Sequence, residues 1–215
     1  MAFSGWPSEA LEFYEGLEAD NSKAYWTANK AVYEDLVRAP MEELIAELVA
    51  QLGEGRIYRP YRDVRFSADK TPYKTAISAS FTKRGYIQLG ASGLGAGAGM
   101  WMMASDQLDN YRKAVDADKT GTELLALAAK IEKQGIEVGG HGALKSAPRG
   151  YPKDHPRVDL LRQKGLTAWR SWPVEAWLGT KAAKTHLLKF FEASQPLDDW
   201  LARNVGDSEL PPSDR

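Results

Sequence analysis

The stretch TAISASFTKRGYIQLGAS, residues 75–92, determines the expected fold class. In its first half, apolar side chains alternate with hydroxyl side chains, which is the period of a strand with one buried face. KRG at 83–85 then forms a turn into YIQLGAS, so the stretch predicts a β-hairpin. Further on, GAGMWMMA at 97–104 predicts another strand after a glycine-rich turn, and TAWRSW at 167–172 is expected to be extended.

A second alternating pattern precedes the hairpin. Between residues 57 and 66, one side of the pattern is polar and the other is largely apolar, and Phe66 falls on the apolar side. We therefore expect a strand over 57–66, in which Phe66 is an architectural residue.

Helical patterns lie on both sides of these strands. Three helices are expected in the first fifty residues, with Asn21 as N-cap of the second, Pro40 in the first turn of the third and Gly53 at its end. Apolar periodicity predicts later helices over 105–117 (after Ser105 as cap), 120–134, 156–164, 180–193 and 197–205.

These patterns predict the α+β class, with a central, mainly antiparallel sheet flanked by N-terminal and C-terminal helices. No repeat or long linker divides the chain, so residues 1–205 are expected to form a single domain. Residues 206–215, GDSELPPSDR, are expected to form a flexible C-terminal tail.

Composition excludes several classes of function. The absence of cysteine excludes disulfides, thiol catalysis and thiolate metal sites. The net charge of −1 gives the whole chain no general attraction to nucleic acid or to an anionic membrane. The N-terminus lacks a basic segment followed by a long apolar one, and no stretch approaches a membrane span, so a cytoplasmic protein without membrane contact is expected.

No cofactor or metal site is expected from the sequence. The histidines, His141, His155 and His186, are far apart and lack metal-ligand spacing. GASGLGAGAG at 90–99 lacks the lysine and hydroxyl residue of a phosphate-binding loop, and no helical pattern follows it at once. A turn or a closely approached strand is therefore expected there.

The charges are segregated along the chain. Residues 56–84 carry a net charge of +6 and residues 145–164 a net charge of +4, which leaves −11 on the rest. One interpretation is local pairing, with Asp63 between two arginines and Asp69 beside Lys70, and such surface pairs contribute about 0–1 kcal/mol each. Two carboxylates are too few for the eight cations of the first window, so an anionic ligand is also expected there.

The second basic window contains APRGYPKDHPRVDLLRQKGL, residues 147–166. Asp154 and His155 lie at the start of the helix predicted over 156–164, where free backbone N–H groups favour an acceptor. Asp154 is interpreted as the cap of that helix, whose start also favours an anion. His155 is interpreted as a hydrogen-bonding residue or as an acid or base near neutral pH.

Two motifs resemble those of a known family. YRDVRFSADKTPYKT at 61–75 and PRGYPKDHPRVDLLRQK at 148–164, supported by NSKAYWTANKAVYE at 21–34, are similar to the bacterial and fungal proteins of domain-of-unknown-function family 2461. The resemblance implies a single α+β domain and brings no activity, substrate or cofactor. The chain departs from the common pattern at Val64, Ala68 and Ala76, where family members often have threonine, lysine, and a polar residue or histidine. A catalytic role of such a histidine does not carry over to Ala76.

The motifs and the charge pattern together give a set of candidate site residues. The candidate catalytic residues are Asp63 and His155. We expect Arg65 to lie near His155, so that both motifs form one composite site. The candidate ligand-binding residues are Arg62, Arg65, Ser67, Lys70, Tyr73, Lys74, Arg149 and Lys153.

Three functions fit this pattern, and the sequence assigns neither a reaction nor an oligomeric state. The first is a pocket for a small anionic ligand bearing phosphate or carboxylate, in which an enzymic version would use Asp63 or His155 to move a proton. The second is a nucleic-acid-binding module, in which Tyr61, Tyr73 or Trp169 stacks on bases. The third is an interaction or scaffold protein whose charged motifs form an internal network.

Overall fold

The N-terminal region forms the helices that the sequence predicts. In the computed structural model, which describes residues 2–83 and 85–211, α1 spans Ser8–Ala19 and α2 spans Lys23–Val32. A π-helical stretch, Tyr33–Arg38, connects α2 to α3 at Ala39–Leu52. Pro40 lies in the first turn of α3, and Gly53 ends that helix with a φ of 76°.

The cap of α2 differs from the prediction by one residue. Ser22 caps this helix, because its hydroxyl accepts the Tyr25 N–H at 3.1 Å. Asn21 is therefore not the cap, and its amide is used in a contact with the segment around Tyr73. Both residue types are good caps, so the sequence alone could not separate them.

The strands form one antiparallel sheet within the described part of the chain, and the predicted α+β class is confirmed. Its order is β1-β2-β3-β4-β6-β5. The strands are β1 (Gly55–Ile57), β2 (Ala76–Phe81), β3 (Gly85–Gly90), β4 (Gly93–Met100), β5 (Glu137–Gly139) and β6 (Leu166–Trp172).

Strands β2 and β3 form the predicted hairpin. Their antiparallel register places Ser78 opposite Gln88 and Ile77 opposite Leu89. Ile77 and Leu89 are buried, as the alternation of apolar and hydroxyl side chains requires. Arg84, in the predicted turn, lies outside the described residues.

The strand predicted over 57–66 is wrong. Strand β1 ends at Ile57; after it, the Tyr58 N–H donates to the Ser78 carbonyl at 2.9 Å, and Tyr61 and Tyr73 form an isolated antiparallel bridge. Pro60 provides no N–H for a strand ladder, which favours a loop after β1. Phe66 is not architectural, since 97% of its surface is exposed.

The glycine-rich segment is itself a strand rather than a turn before one. Strand β4 begins at Gly93 and ends at Met100, so the strand predicted over 97–104 lies a few residues too late. A Cβ at Gly97 would lie 3.0 Å from the Trp169 ring, and a Cβ at Gly99 would clash with the Leu166 carbonyl oxygen. The glycines therefore permit close approach to β6, as expected of a closely approached strand.

The later helices agree with the predictions in position and differ in their ends. Ala104, not Ser105, takes the cap position of α4. The helix expected over 156–164 is only four residues long, and its N-cap is Arg157, so Asp154 is not its cap. The helices are α4 (Ser105–Asp116), α5 (Asp118–Glu132), α6 (Val158–Leu161), a 3₁₀ turn at Ala176–Gly179 and α7 (Ala182–Asn204).

Helix α7 replaces two predicted helices, 180–193 and 197–205. Pro196 lies inside it, although proline removes one helical hydrogen bond at a cost of about 3 kcal/mol. Leu197 and Trp200 follow directly and are completely buried. Burial of this face offsets the local cost of the proline, which sequence propensity could not show.

The chain divides into two compact units. Unit 1 comprises Met1–Ala96 with Ser171–Lys189, and unit 2 comprises Gly97–Arg170 with Phe190–Arg215. The single domain expected over 1–205 stays a prediction. Residues 206–211 of the predicted tail have no helix or strand, and the Ser208 hydroxyl donates to Asp106 within unit 2. No helix in the described ranges has the length and apolar character needed to cross a bilayer.

Candidate functional site

The first motif folds into a closed loop in unit 1, which we call the motif loop, residues 61–73. Its two ends are joined at the Tyr61–Tyr73 bridge. The Arg62 N–H donates to the Pro72 carbonyl and the Lys74 N–H donates to the Pro60 carbonyl, both at 2.8 Å. These bonds fix where the charged side chains of the motif leave the backbone.

Both acidic residues of the motif loop pair with arginines. Arg65 donates to the two carboxylate oxygens of Asp63, with Nε at 3.0 Å from Oδ1 and Nη2 at 2.7 Å from Oδ2. Arg62 donates to Asp69 and to the Thr71 hydroxyl. These arginine hydrogen bonds lower the pKa of each carboxyl, Asp63 and Asp69, to about 2. The local-pairing interpretation therefore holds for Arg65 with Asp63, whereas Asp69 pairs with Arg62 and not with Lys70, its neighbour in sequence.

The backbone of the loop is bonded to the same side chains. Asp69 Oδ1 accepts the Thr71 N–H at 2.9 Å, which closes a turn of the Asx type. Lys70 Nζ donates to the Val64 carbonyl at 2.9 Å, and the half-buried Ser67 donates its N–H to the same carbonyl at 3.4 Å. Much of the charge in the loop therefore serves its own structure.

Lys74 differs from the other cations of the motif. Its side chain has no carboxylate partner among residues 2–83 and 85–211, and its Nζ lies 5.2 Å from the centroid of the Tyr58 ring. Burial, and then the charge of Arg59, lower the pKa of the Lys74 ammonium. Within the described ranges, this half-buried cation therefore lies beside a second cation and has no carboxylate within ion-pair distance.

Tyr73 joins the motif loop to the N-terminal helices. Its ring stacks on Trp26 with centroids 4.5 Å apart and planes 7° from parallel, and the residue is buried. Asn21 holds the backbone at the same point: its Nδ2 donates to the Tyr73 carbonyl at 3.1 Å, and its Oδ1 accepts the Tyr73 N–H at 3.0 Å. Asn21 is thus a positioning residue that sequence reasoning assigned to another role.

These elements border an open cleft of about 490 Å³ in unit 1. The motif loop and the residues after it form one wall, the connection between α1 and α2 contributes another, and β2 and β3 form the floor. The lining residues are Glu18, Asn21, Arg62, Asp69, Thr71, Tyr73, Lys74, Thr75, Ala76, Ser78, Tyr86 and Gln88.

The floor of the cleft is the polar face of the hairpin. Ala76 and Ser78 lie two residues apart on β2, and Tyr86 and Gln88 lie two residues apart on β3, so all four project from one side of the sheet. The Tyr86 hydroxyl donates to Gln88 Oε1 at 3.1 Å. Sequence reasoning placed Ser78 on the polar face, and it did not assign Ser78, Tyr86 or Gln88 to a site.

The second motif lies in unit 2, where its Arg157 binds the end of α4 and the start of α5. Arg157 is 8% exposed; its Nε donates to the Val115 carbonyl and its Nη2 to the Asp116 carbonyl, both at 2.6 Å. Nη2 also lies 3.0 Å from an oxygen of Asp118. Arg157 therefore satisfies carbonyls that α4 leaves without helical partners.

His155 is part of the same arrangement. Its Nδ1 accepts the Arg157 N–H at 3.0 Å, and its Nε2 lies 3.2 Å from Asp116 Oδ1. Only 9% of its side chain is exposed. Because both ring nitrogens already have partners, these contacts describe a hydrogen-bonding residue that fixes the turn.

The predicted site residues are thus distributed over both units. Arg62, Tyr73 and Lys74 line the cleft of unit 1. The others do not line it: Asp63, Arg65, Ser67 and Lys70 belong to the rest of the motif loop, while His155 and the exposed Arg149 and Lys153 belong to unit 2. The composite site of Arg65 and His155 stays a prediction. Within the described ranges, no group of three or more acidic or histidine side chains has the arrangement of a metal site.

The fold and the cleft define an α+β protein with an antiparallel sheet and a polar cleft between a sequence motif and a hairpin. The chain belongs to the family of conserved hypothetical proteins designated DUF2461, whose family model matches residues 9–200. The resemblance stated from the two motifs is therefore confirmed. A search of curated proteins found no relative of the chain.

Proposed function

We propose that the cleft of unit 1 binds a small anionic ligand, bearing a phosphate or carboxylate group, through Lys74. One observation carries the proposal: Lys74 is a half-buried cation in the cleft without a carboxylate partner in the described ranges. A bound anion would offset both the desolvation of its ammonium and its repulsion by Arg59.

The ion pairs of the motif loop support this choice of cation. Arg62 and Arg65 are neutralised by Asp69 and Asp63, so neither has the unbalanced charge that attracts an anion. Arg62 nevertheless lines the cleft, and Asp69 and Thr71 hold its guanidinium in place. Its remaining N–H donors are therefore oriented for a second contact with the ligand.

The proposal is one of binding. A carboxyl with a pKa of about 2, as at Asp63, is a weak base near neutral pH. His155 would have to give up the hydrogen bond from Arg157 before its Nδ1 could accept another proton. Catalytic roles for both residues stay predictions, and so does a cytoplasmic location.

Two alternatives remain distinguishable from this proposal. A nucleic-acid-binding module would need aromatic side chains free to stack on bases; Tyr73 is already stacked on Trp26, whereas Tyr61 is 49% exposed. A scaffold protein would use its charged motifs internally, as Arg157 is used, and would show no response to small anions. Oligonucleotide binding that weakens steeply with salt would favour the first alternative.

Calorimetric titration and thermal unfolding with inorganic phosphate test the proposal. At about 100 times its dissociation constant, phosphate should stabilise the protein by roughly 2.7 kcal/mol. Lys74→Met should abolish this stabilisation while the variant still unfolds cooperatively. Lys83→Met is the matched control, because Lys83 belongs to the same basic window, is exposed and does not line the cleft.

The two variants give opposite expectations, so the result is unambiguous. The proposal holds if phosphate stabilises the wild type and Lys83→Met to the same extent. The stability of Lys74→Met must not change when phosphate is added. An equal response in all three proteins, or no response to phosphate or to a dicarboxylate in the wild type, would exclude an anion site at Lys74.

A further inference from the structure

We infer that the ligand of this cleft carries several hydroxyl groups beside a single anionic group, as a monophosphorylated sugar or polyol does. The inference rests on the proposed function, because it takes the anion to be bound at Lys74. It concerns the rest of the ligand, which the other lining residues must recognise.

The side chains that line the cleft favour a polar ligand body over an apolar one. Ala76 is the sole residue with an aliphatic side chain among those that line it, and the remainder carry hydroxyl, amide or charged groups. Clefts for apolar ligands are lined mainly by hydrophobic side chains with few polar groups. A body that forms many hydrogen bonds is the complement of this surface.

Ser78 provides the most specific contact. It is 7% exposed and lies on the cleft floor, yet its hydroxyl forms no hydrogen bond within residues 2–83 and 85–211. A hydroxyl at the surface of a cleft without a protein partner is hydrogen-bonded to water, which a ligand group can replace. A ligand hydroxyl can both donate to and accept from Ser78, and so satisfies it.

Gln88, directly across from Ser78 on β3, adds donors at the same place. Its Oε1 accepts the Tyr86 hydroxyl, and that bond orients the amide. The Nε2 then has two N–H donors and no acceptor in the described part of the chain, so it is suited to an oxygen of the ligand. Ser78 and Gln88 together recognise hydroxyl groups along the hairpin.

Glu18 disfavours a second anionic group on the ligand. This exposed carboxylate lies on the cleft wall contributed by the end of α1. A carboxylate accepts hydrogen bonds from hydroxyl groups and repels a second anion. The lining therefore favours a ligand with one anionic end at Lys74 and a neutral, hydroxylated body. A volume of about 490 Å³ is within the range of small-molecule sites and accommodates a monosaccharide phosphate.

Calorimetric titration of the full chain with a matched pair of ligands tests the inference. Glucose 6-phosphate and hexyl phosphate carry the same anionic group on a six-carbon body, with and without hydroxyls. The hydroxylated ligand should bind at least about tenfold more tightly, since one or two additional hydrogen bonds give an effect of that size. Unphosphorylated glucose should bind more weakly than either phosphate.

Two variants test whether the floor of the cleft causes the difference in affinity between glucose 6-phosphate and hexyl phosphate. Ser78→Ala and Gln88→Leu should each reduce the ratio of the two affinities severalfold while leaving hexyl phosphate binding unchanged. Ser80→Ala is the control, because Ser80 lies on the same strand and does not line the cleft. It should preserve the full ratio.

The outcomes separate this inference from the proposed function. If glucose 6-phosphate and hexyl phosphate bind equally well and both require Lys74, the cleft binds anions. In that case the inference that the ligand carries hydroxyl groups is wrong. If hexyl phosphate binds more tightly, the inference is also overturned. If neither ligand binds, the proposed function fails and this inference fails with it. A preference for glucose 6-phosphate that survives in both floor variants would overturn the assigned roles of Ser78 and Gln88.

Discussion

The two motifs are both rich in basic residues, and they use their charges differently. In the motif loop of unit 1, Asp63 and Asp69 neutralise Arg65 and Arg62, and Lys74 remains without a carboxylate among the described residues. In the second motif, Arg157 is buried against backbone carbonyls at the end of α4. The first motif thus leaves a cation for a ligand, whereas the central arginine of the second is part of the scaffold.

The comparison shows that a count of charges locates a segment and does not assign its role. An arginine contributes to structure when carbonyls or carboxylates surround it and water is excluded, as at Arg157. A lysine is available to a ligand when it is desolvated without an opposite charge, as at Lys74. The following predictions test this distinction.

The largest effect is expected at Arg157. Arg157→Met leaves the buried Val115 carbonyl and the partly buried Asp116 carbonyl without their donor, and we expect a loss of about 3 kcal/mol in the free energy of unfolding. Urea unfolding measures this. Arg149→Met is the control, since this exposed residue of the same motif should change the stability by less than about 0.5 kcal/mol. Equal effects of the two substitutions would show that the second motif has no structural core.

A smaller loss is expected at Asn21. Asn21→Ala removes both side-chain bonds to the Tyr73 backbone, and about 1–2 kcal/mol of stability should be lost with them. Hydrogen exchange at the Tyr73 amide should become faster than in the wild type. Asn29→Ala removes a bond within α2 at 2.9 Å and should leave exchange at Tyr73 unchanged. Unaltered exchange in Asn21→Ala would mean that the motif loop is held elsewhere.

The ion pair of Arg62 with Asp69 predicts a pH dependence. The folded pKa of Asp69, about 2, lies below its unfolded value of about 3.9, so the pair stabilises the fold above that value and the contribution is lost as pH falls toward 2. Arg62→Met should raise the pKa of Asp69 toward the unfolded value. Carbon NMR of the carboxyl groups measures it, and Asp63, still paired with Arg65, serves as the control in the same spectrum. An Asp69 that titrates near 4 in the wild type would refute the pairing.

The smallest effect is expected at Phe66. Because 97% of its surface is exposed, Phe66→Ser should change the free energy of unfolding by less than about 0.5 kcal/mol. Phe81→Ala, in the buried face of β2, should cost about 3 kcal/mol and shows the scale of a core position. If urea unfolding showed that Phe66→Ser lowered the free energy of unfolding by a comparable amount, Phe66 would be buried, as the strand predicted from the sequence requires.

The elements that follow a simple period were predictable from the sequence. The alternation around Ile77 gave the hairpin, and the proline and glycine at the ends of α3 gave its limits. The strand expected over 57–66 failed because a period of two also occurs by chance in a loop. There, backbone pairing stops after one bridge, and side-chain ion pairs provide the structure. The continuity of α7 through Pro196 depended on tertiary burial, which local propensity does not contain.

The candidate site was predictable only in part. The density of basic residues predicted the segment that contains Arg62 and Lys74, and both residues line the cleft. It could not show which cations have partners, because pairing depends on how the loop closes. Ser78 and Gln88 were missed because hydroxyl and amide residues that alternate in a strand indicate an ordinary solvent-facing surface. That this face is the floor of a cleft becomes apparent when the positions of the motif loop and of α1 are known.

The most direct test of the central claim observes the lysine side chains themselves during a titration with inorganic phosphate. Selective labelling of lysine, with the Lys74 signal assigned by its absence in Lys74→Met, resolves each ammonium by NMR. We predict that the Lys74 signal shifts saturably with phosphate while the Lys83 and Lys153 signals stay in place. A shift at Lys153 with none at Lys74 would reverse the roles of the two motifs and contradict the account.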